Sequence, residues 1–171
     1  MRPTIRRATP EDAAALALAG AATFLETYAL SLPGRDLVRH CGINHAATVY
    51  EKWLNDPACA VWVVEAGEGR NVVGFGVLTS PDLPCAEEGD LELRRIYILS
   101  KFQGNGLGRE LVDLAAKEAQ KRGAKRLLLG VYGENEAALG FYTHIGLSRI
   151  GHRQFQVGDK TCFDYVLGKN L

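Results

Sequence analysis

The apolar positions change period several times along the chain, and each change marks an expected element. Residues 4–7 have the pattern of a short strand. Thr9-Pro10-Glu11-Asp12 then opens a helix: Thr9 can cap, Pro10 suits the first helical position, and two acids favour the positive end of the dipole. The Ala/Leu-rich run behind it extends this helix to about Tyr28. Ser31-Leu32-Pro33-Gly34 breaks it, and a second helical region is expected over residues 44–54. Two β-branched-rich runs, 60–65 and 72–78, flank a Gly-rich turn at 67–71 and predict a hairpin. Residues 80–89 read as a loop and 91–99 as a strand carrying Glu92, Arg94 and Arg95. A glycine-rich turn follows, then a helix over 106–122 that Gly123 ends. An apolar strand (126–131), a short helix (135–144) and a closing hairpin (147–157 and 160–167, turning at Gly158-Asp159) complete the pattern.

Hairpins imply antiparallel neighbours, whereas the strand–helix–strand unit over 91–131 implies one parallel pair. The expectation is an α/β chain with a mixed sheet and helices on both faces. A length of 171 residues suits one domain spanning 1–171. Twenty basic side chains balance twenty acidic ones, so no overall field draws the protein to nucleic acid or to a membrane, and neither is expected as a partner. Cys41, Cys59, Cys85 and Cys162 are scattered, without C-x-x-C pairs or histidines at zinc-finger spacing, and read as free thiols. No metal site is expected. The N-terminal stretch lacks the apolar run of a signal peptide, and a cytoplasmic location is expected.

The chemistry concentrates at Gln103-Gly104-Asn105-Gly106-Leu107-Gly108, between a strand and a helix. Alternating glycines let successive N–H groups turn to one side, and the helix behind adds its positive end, so the turn suits phosphate. The dinucleotide spacing G-x-G-x-x-G fails and the P-loop G-x-x-x-x-G-K-[ST] is absent, which removes support for NAD and ATP.

The segment resembles motif A of the GNAT superfamily of N-acetyltransferases, [RQ]-x-x-G-x-[GA], with the strand Arg95-Ile96-Tyr97-Ile98-Leu99 before it. The resemblance implies a GNAT-like three-layer sandwich of about seven mostly antiparallel strands and about four helices, with acetyl-CoA as cosubstrate. By the same resemblance Ile96, Tyr97 and Ile98 lie along the pantetheine arm. Gln103, Gly104, Asn105, Gly106, Leu107 and Gly108 then surround the pyrophosphate. Downstream, Asn135-Glu136-Ala137-Ala138-Leu139-Gly140-Phe141-Tyr142 and Gly146-Leu147 look like the family's motif B, with Leu147 where phenylalanine is usual.

Two of these residues carry alternative readings. Asn135 is a natural N-cap, and the resemblance adds a contact near the pantetheine arm. Tyr142 is either a packing aromatic or the donor that protonates the departing CoA thiolate. An alkylammonium, with a pKa of about 10, must also lose a proton before attack. Glu92 is placed as that base by resemblance, against the plainer reading of a strand carboxylate paired with Arg94 or Arg95. Glu26 and Tyr28, at the end of the first helix, are candidates to hold the acceptor. Glu87, Glu88 and Asp90 form an acidic loop.

No G-x-S-x-G elbow or Cys–His arrangement supports a covalent acyl-enzyme, so direct attack of a primary amine in a ternary complex is expected. Polyamines, aminoglycosides and amino acids are the acceptors in view. The alternatives are a non-catalytic acyl-CoA-binding module and an enzyme acting on a protein or peptide N-terminus. The resemblance also carries the expectation of a homodimer.

Overall fold

The computed structural model describes residues 2–171. Strand β1 (Thr4–Arg7) leads into a 3-10 turn (Pro10–Asp12) and helix α1 (Ala13–Tyr28). The turn is fixed by Asp12, whose carboxylate accepts the Thr9 N–H at 2.7 Å and both Arg6 terminal nitrogens at 2.8 Å. The Arg6 guanidinium holds that carboxyl down at about 2.

The helical region expected over 44–54 is found as α3 (Ala47–Asn55), and a further helix, α2 (Gly34–Asn44), precedes it. Pro33 is the N-cap of α2, in extended conformation, and not simply a break. Local pattern conceals α2 because only Leu37 is fully buried, Val38 and Ile43 face solvent, and glycines stand at 34 and 42. Its order comes from tertiary packing: Leu37 and Cys41 join Phe24, Tyr28, Leu32, Val157 and Cys162.

Strands β2 (Ala60–Ala66) and β3 (Asn71–Thr79) form the expected hairpin, and β4 (Asp90–Ile98) pairs antiparallel with β3. Helix α4 (Leu107–Lys121) ends at Gly123, whose φ is +78°. Then come β5 (Arg126–Tyr132), α5 (Glu136–His144) and the hairpin of β6 (Ser148–Val157) and β7 (Lys160–Asn170). Among the described residues the seven strands order as β1-β2-β3-β4-β5-β7-β6, and only β4–β5 is parallel. The mixed sheet and its single parallel pair are therefore as the sequence implies, with five α-helices around them.

Alternation along the strands feeds both layers. Val61 and Val63 pack with Leu16, Tyr50, Phe75 and Val77 beneath α1 and α3. Trp62 and Val64 point the other way, into the core that α4 fills with Leu107, Leu111, Val112, Ala115 and Ala119. Those five positions form one stripe of a 3.6-residue period, and burying each leucine contributes roughly 1.5–3 kcal/mol.

Two irregularities shape the site. First, Val77 pairs with Arg95 but Leu78 pairs with Leu93, so Arg94 is an extra residue in β4. The bulge shifts the alternation: Leu91 and Leu93 face α4 before it, Ile96 and Ile98 after it, and Arg95 and Tyr97 turn to the opposite face. Second, β4 and β5 pair only from Asp90–Arg126 to Glu92–Leu128. Beyond that, β4 follows β3 as far as Ile98, while β5 follows β7 as far as Tyr132. A wedge opens between the two strands, with backbone N–H and C=O groups on both walls.

Candidate active site

The wedge ends beside the glycine turn, which begins with a 3-10 segment, Ser100–Phe102. Gly104 and Gly106 adopt φ of +78° and +79°, a region that side-chain-bearing residues occupy at a cost. A Cβ at either position would meet nothing within 4 Å, so no protein group closes over the turn. Side chains brace it from behind. The Gln103 amide donates to the Ile98 carbonyl at 2.8 Å, and the Asn105 amide donates to the carbonyls of Phe102 (3.4 Å) and Gln103 (3.3 Å).

The first intrahelical bond of α4 is Glu110 N–H to Gly106 O, at 3.0 Å. The N–H groups of Leu107, Gly108 and Arg109 lie ahead of it, at the positive end of the helix dipole. Leu107 buries its side chain in the core and offers this site its backbone alone. A diphosphate fits such a turn, and the free edge of β4 fits an extended arm bearing amides.

Helix α5 lies on the α4 side of the wedge. Asn135 is its N-cap: the Oδ1 accepts the Ala138 N–H at 3.1 Å, which leaves the side-chain amide nitrogen uncommitted by the cap. Phe141 packs on Gly108, where a Cβ would come within 3.3 Å of the ring. Tyr142 is 8% exposed, with its ring 5.1 Å from that of Phe141. Burial, with Tyr97 adding to it, pushes its phenol well above the ordinary value, so the proton stays on oxygen throughout the neutral range. Among the described residues the Tyr142 hydroxyl has no hydrogen-bond partner. Tyr142 and Tyr97 approach the wedge from opposite layers.

Glu92 stands at the apex, where the strands part, and is 1% exposed. Its Oε2 accepts the Asp82 N–H at 2.7 Å and pairs with Arg94 Nη2 at 3.4 Å. The pairing with Arg94 is thus present, on a buried carboxylate and not a surface one. Its Oε1 accepts no protein hydrogen bond among the described residues. Asp90, expected in the acidic loop, is the first residue of β4 and is engaged by Arg126 at 2.6 Å.

The acceptor candidates part company. Glu26 accepts from the Ser100 N–H (3.0 Å) and hydroxyl (2.7 Å), tying α1 to the start of the turn. Tyr28 enters an aromatic group with Phe24 (4.4 Å) and Tyr132 (5.2 Å), and Phe24 stacks on His40 at 4.2 Å. His45 is buried against the Tyr50 hydroxyl (2.8 Å) and beside Arg95, and burial followed by the Arg95 and His40 charges pushes it down to about 3.

Sequence reasoning did not single out Asp164 or Arg153. Arg153 Nε and Nη2 both reach Asp164 Oδ2 at 3.0 Å, and the guanidinium lies over Gly130, where a Cβ would be 3.1 Å from Nη2. Asp164 Oδ1 is buried and has no partner among the described residues. A signal was available: Asp164 shares its strand phase with Cys162 and Val166, both buried.

The description "Acetyltransferase (GNAT) family" matches residues 24–147, most of the chain and all of the wedge-forming segments up to α5. The chain belongs to this family. As a GNAT protein it is an acetyl-CoA-dependent acetyltransferase. An uncharacterized N-acetyltransferase of Mycobacterium tuberculosis is 29% identical over 160 residues, covering 94% of this chain and 98% of that protein. The fold is that of the PaiA N-acetyltransferase of Thermoplasma acidophilum, solved with coenzyme A (TM-score 0.80, 18% identity, 100% of both chains). A ribosomal-protein-alanine N-acetyltransferase from Brucella melitensis is also similar (TM-score 0.74, 25% identity, 98% and 99% covered).

Among the described residues, no helix is long and apolar enough to cross a membrane, and no three His, Cys, Asp or Glu side chains group where a metal could sit.

Proposed function

We propose that the protein is a single-domain cytoplasmic enzyme that moves the acetyl group of acetyl-CoA onto a primary amine of a small molecule, by direct attack in a ternary complex. The observation that carries this reading is the opened β4–β5 wedge, flanked by the uncovered Gly104–Gly106 turn and by Tyr142, a buried residue whose hydroxyl has no hydrogen-bond partner among the described residues. Acetyl-CoA supplies the activated thioester. The β4 edge at Ile96, Tyr97 and Ile98 holds the arm, Asn135 adds a donor nearby, and the N–H groups of residues 107–109 hold the diphosphate.

The amine nitrogen forms the new bond to the acetyl carbon as the carbon–sulfur bond breaks, and the electron pair passes to sulfur. Tyr142 gives its proton to that sulfur, a general-acid contribution of about 10²–10⁴ in rate, and the proton shed by the acylated nitrogen restores the phenol. Glu92 Oε1, at the wedge apex, takes the proton of the entering ammonium through water. Its Oε2 keeps residues 80–83 against the sheet meanwhile. The four free cysteines fit a reducing compartment.

A peptide N-terminus is the competing acceptor. Phe24, Tyr28, Leu32 and Leu37, packed on Val157 and Cys162, cover the sheet face next to the wedge and favour a small acceptor over a chain laid across it. Thiol release from acetyl-CoA, measured against polyamines, aminoglycosides, amino acids and short peptides, tests the proposal. Turnover with small amines is expected. Turnover with peptides alone, or none at all from protein that binds CoA, would overturn it.

A further inference from the structure

The Asp164–Arg153 pair is placed and paired in an unusual way for a structural ion pair. The residues lie opposite one another on β7 and β6, and Asp164 also lies opposite Tyr132 on β5. Its side chain is 6% exposed, yet Arg153 spends both donors on Oδ2, and Oδ1 has none. A guanidinium facing a carboxylate normally shares its two nitrogens between the two oxygens. Here Gly130 leaves the space in which the guanidinium lies to one side. A buried carboxylate oxygen without a donor is costly unless something else supplies one.

The surroundings indicate what would supply it. Cys162 shares the phase of Asp164 and packs with Phe24, Tyr28 and Tyr132, so the carboxylate adjoins that aromatic group. Tyr28, Tyr97 and Tyr132 have phenols raised chiefly by burial; the Asp164 charge adds to each, Arg95 and Arg153 oppose it at Tyr97, and burial pushes the Asp164 carboxyl itself up against the pull of Arg153. A carboxylate oxygen that lacks a donor and is bordered by ring faces suits a cation that bears N–H groups. Tyr97 connects this place to the wedge, since it also influences Tyr142.

Position separates Asp164 from the proton-accepting end. Leu128 is the partner of Glu92 and Tyr132 that of Asp164. Those levels are four residue steps apart along β5, about 13 Å of strand.

We infer that Asp164 Oδ1 anchors a second, non-reacting cationic nitrogen of the acceptor, so that the preferred acceptors are elongated amines with two positive charges. This rests on the proposed amine acetylation and narrows it. Asp164 is a binding residue here, and the base remains separate.

The test uses 1,8-diaminooctane and n-octylamine, which have the same chain length and differ in the second charge. Each is titrated calorimetrically into the CoA-bound wild type and Asp164→Asn, and each is assayed for acetylation. The wild type should prefer the diamine. Asp164→Asn should weaken diamine binding and raise its KM ten- to hundredfold, the range for one charge-assisted contact, with kcat and the octylamine values little changed. Equal diamine affinity in both proteins, no wild-type preference for the diamine, or a collapse of kcat at constant KM would overturn the inference.

CoA titrations of both proteins keep the two ideas apart. If neither binds CoA, the acetyltransfer reading fails, while diamine titrations of the free proteins still measure Asp164. Should Asp164→Asn fail to fold, a crystal structure of the wild type with CoA and 1,8-diaminooctane decides. A nitrogen within about 3 Å of Oδ1 supports the inference, and a diamine seated elsewhere overturns it.

Discussion

Replacing Gly106 with alanine isolates the backbone geometry on which the proposed CoA binding depends. Gly106 is the N-cap of α4 at φ +79°, ψ −4°, and the added methyl would meet no atom within 4 Å. Sterics therefore contribute nothing, and what remains is the cost of holding an L-residue in the left-handed region, about 1–2 kcal/mol. For a chain of this size each kcal/mol lowers Tm by about 2–4 °C, so Gly106→Ala should unfold roughly 2–8 °C below wild type. If the turn relieves that strain by moving to negative φ, the N–H groups of residues 107–109 no longer face one side. Loss of even about 1.4 kcal/mol there weakens CoA tenfold. Thermal unfolding followed by circular dichroism and calorimetric titration with CoA measure both effects. Gly108→Ala is the stability control. It lies inside the helix without a positive φ, so a propensity gain of up to about 1 kcal/mol offsets the 3.3 Å approach to Phe141, and Tm should move little. A Gly106→Ala protein matching wild type in both Tm and CoA affinity would refute the reasoning.

Two further outcomes are expected. His45 titrates near 6.5 when unfolded but is held to about 3 in the fold by burial and by the neighbouring Arg95 and His40, so between those values the unfolded chain binds the extra proton. Stability must then fall as pH drops through this window, by about 2 kcal/mol from pH 7 to 5, and denaturant titrations of His45→Gln should show that much less loss. Tyr142→Phe should retain CoA affinity and lose about 10² in kcat; an unchanged kcat would leave Tyr142 as a packing residue beside Phe141.

The legible parts of the molecule are those whose cause is local. The strand–turn–helix from residue 90 to 121 could be read because the glycines at 104 and 106 and the apolar stripe of α4 act over a few residues. Asn135 was legible for the same reason, since a cap needs only its own first turn. Helix α2 was not, because its buried face is a single leucine given order by partners more than a hundred residues away, Val157 and Cys162. Glu26 is a candidate acceptor contact by its place at the end of the first helix. Its partner within the fold, Ser100, becomes a neighbour only through tertiary structure. Asp164 was missed for a different reason: attention to motifs passed over a phase argument, in which an acid between Cys162 and Val166 belongs on a buried face.

The extra residue at Arg94 shows how one strand serves two chemistries. Before the bulge, the outward phase of β4 carries Glu92 to the acceptor face; in an unbroken alternation that phase would continue through Arg94, Ile96 and Ile98. Two isoleucines would then line the acceptor face, and Tyr97 would be driven into the core that α4 and α5 complete. The inserted residue reverses this, so Ile96 and Ile98 seal the core beneath Leu107 and Phe141 while Tyr97 joins the face that carries Tyr28 and Asp164. The splay from β5 does the rest, because a strand paired on both sides would have no N–H or C=O left for a ligand. The proposed cosubstrate edge, the proposed acceptor face and the apex carboxylate therefore depend on one another through two departures from regular pairing, which the hydrophobic pattern of β4 alone does not reveal.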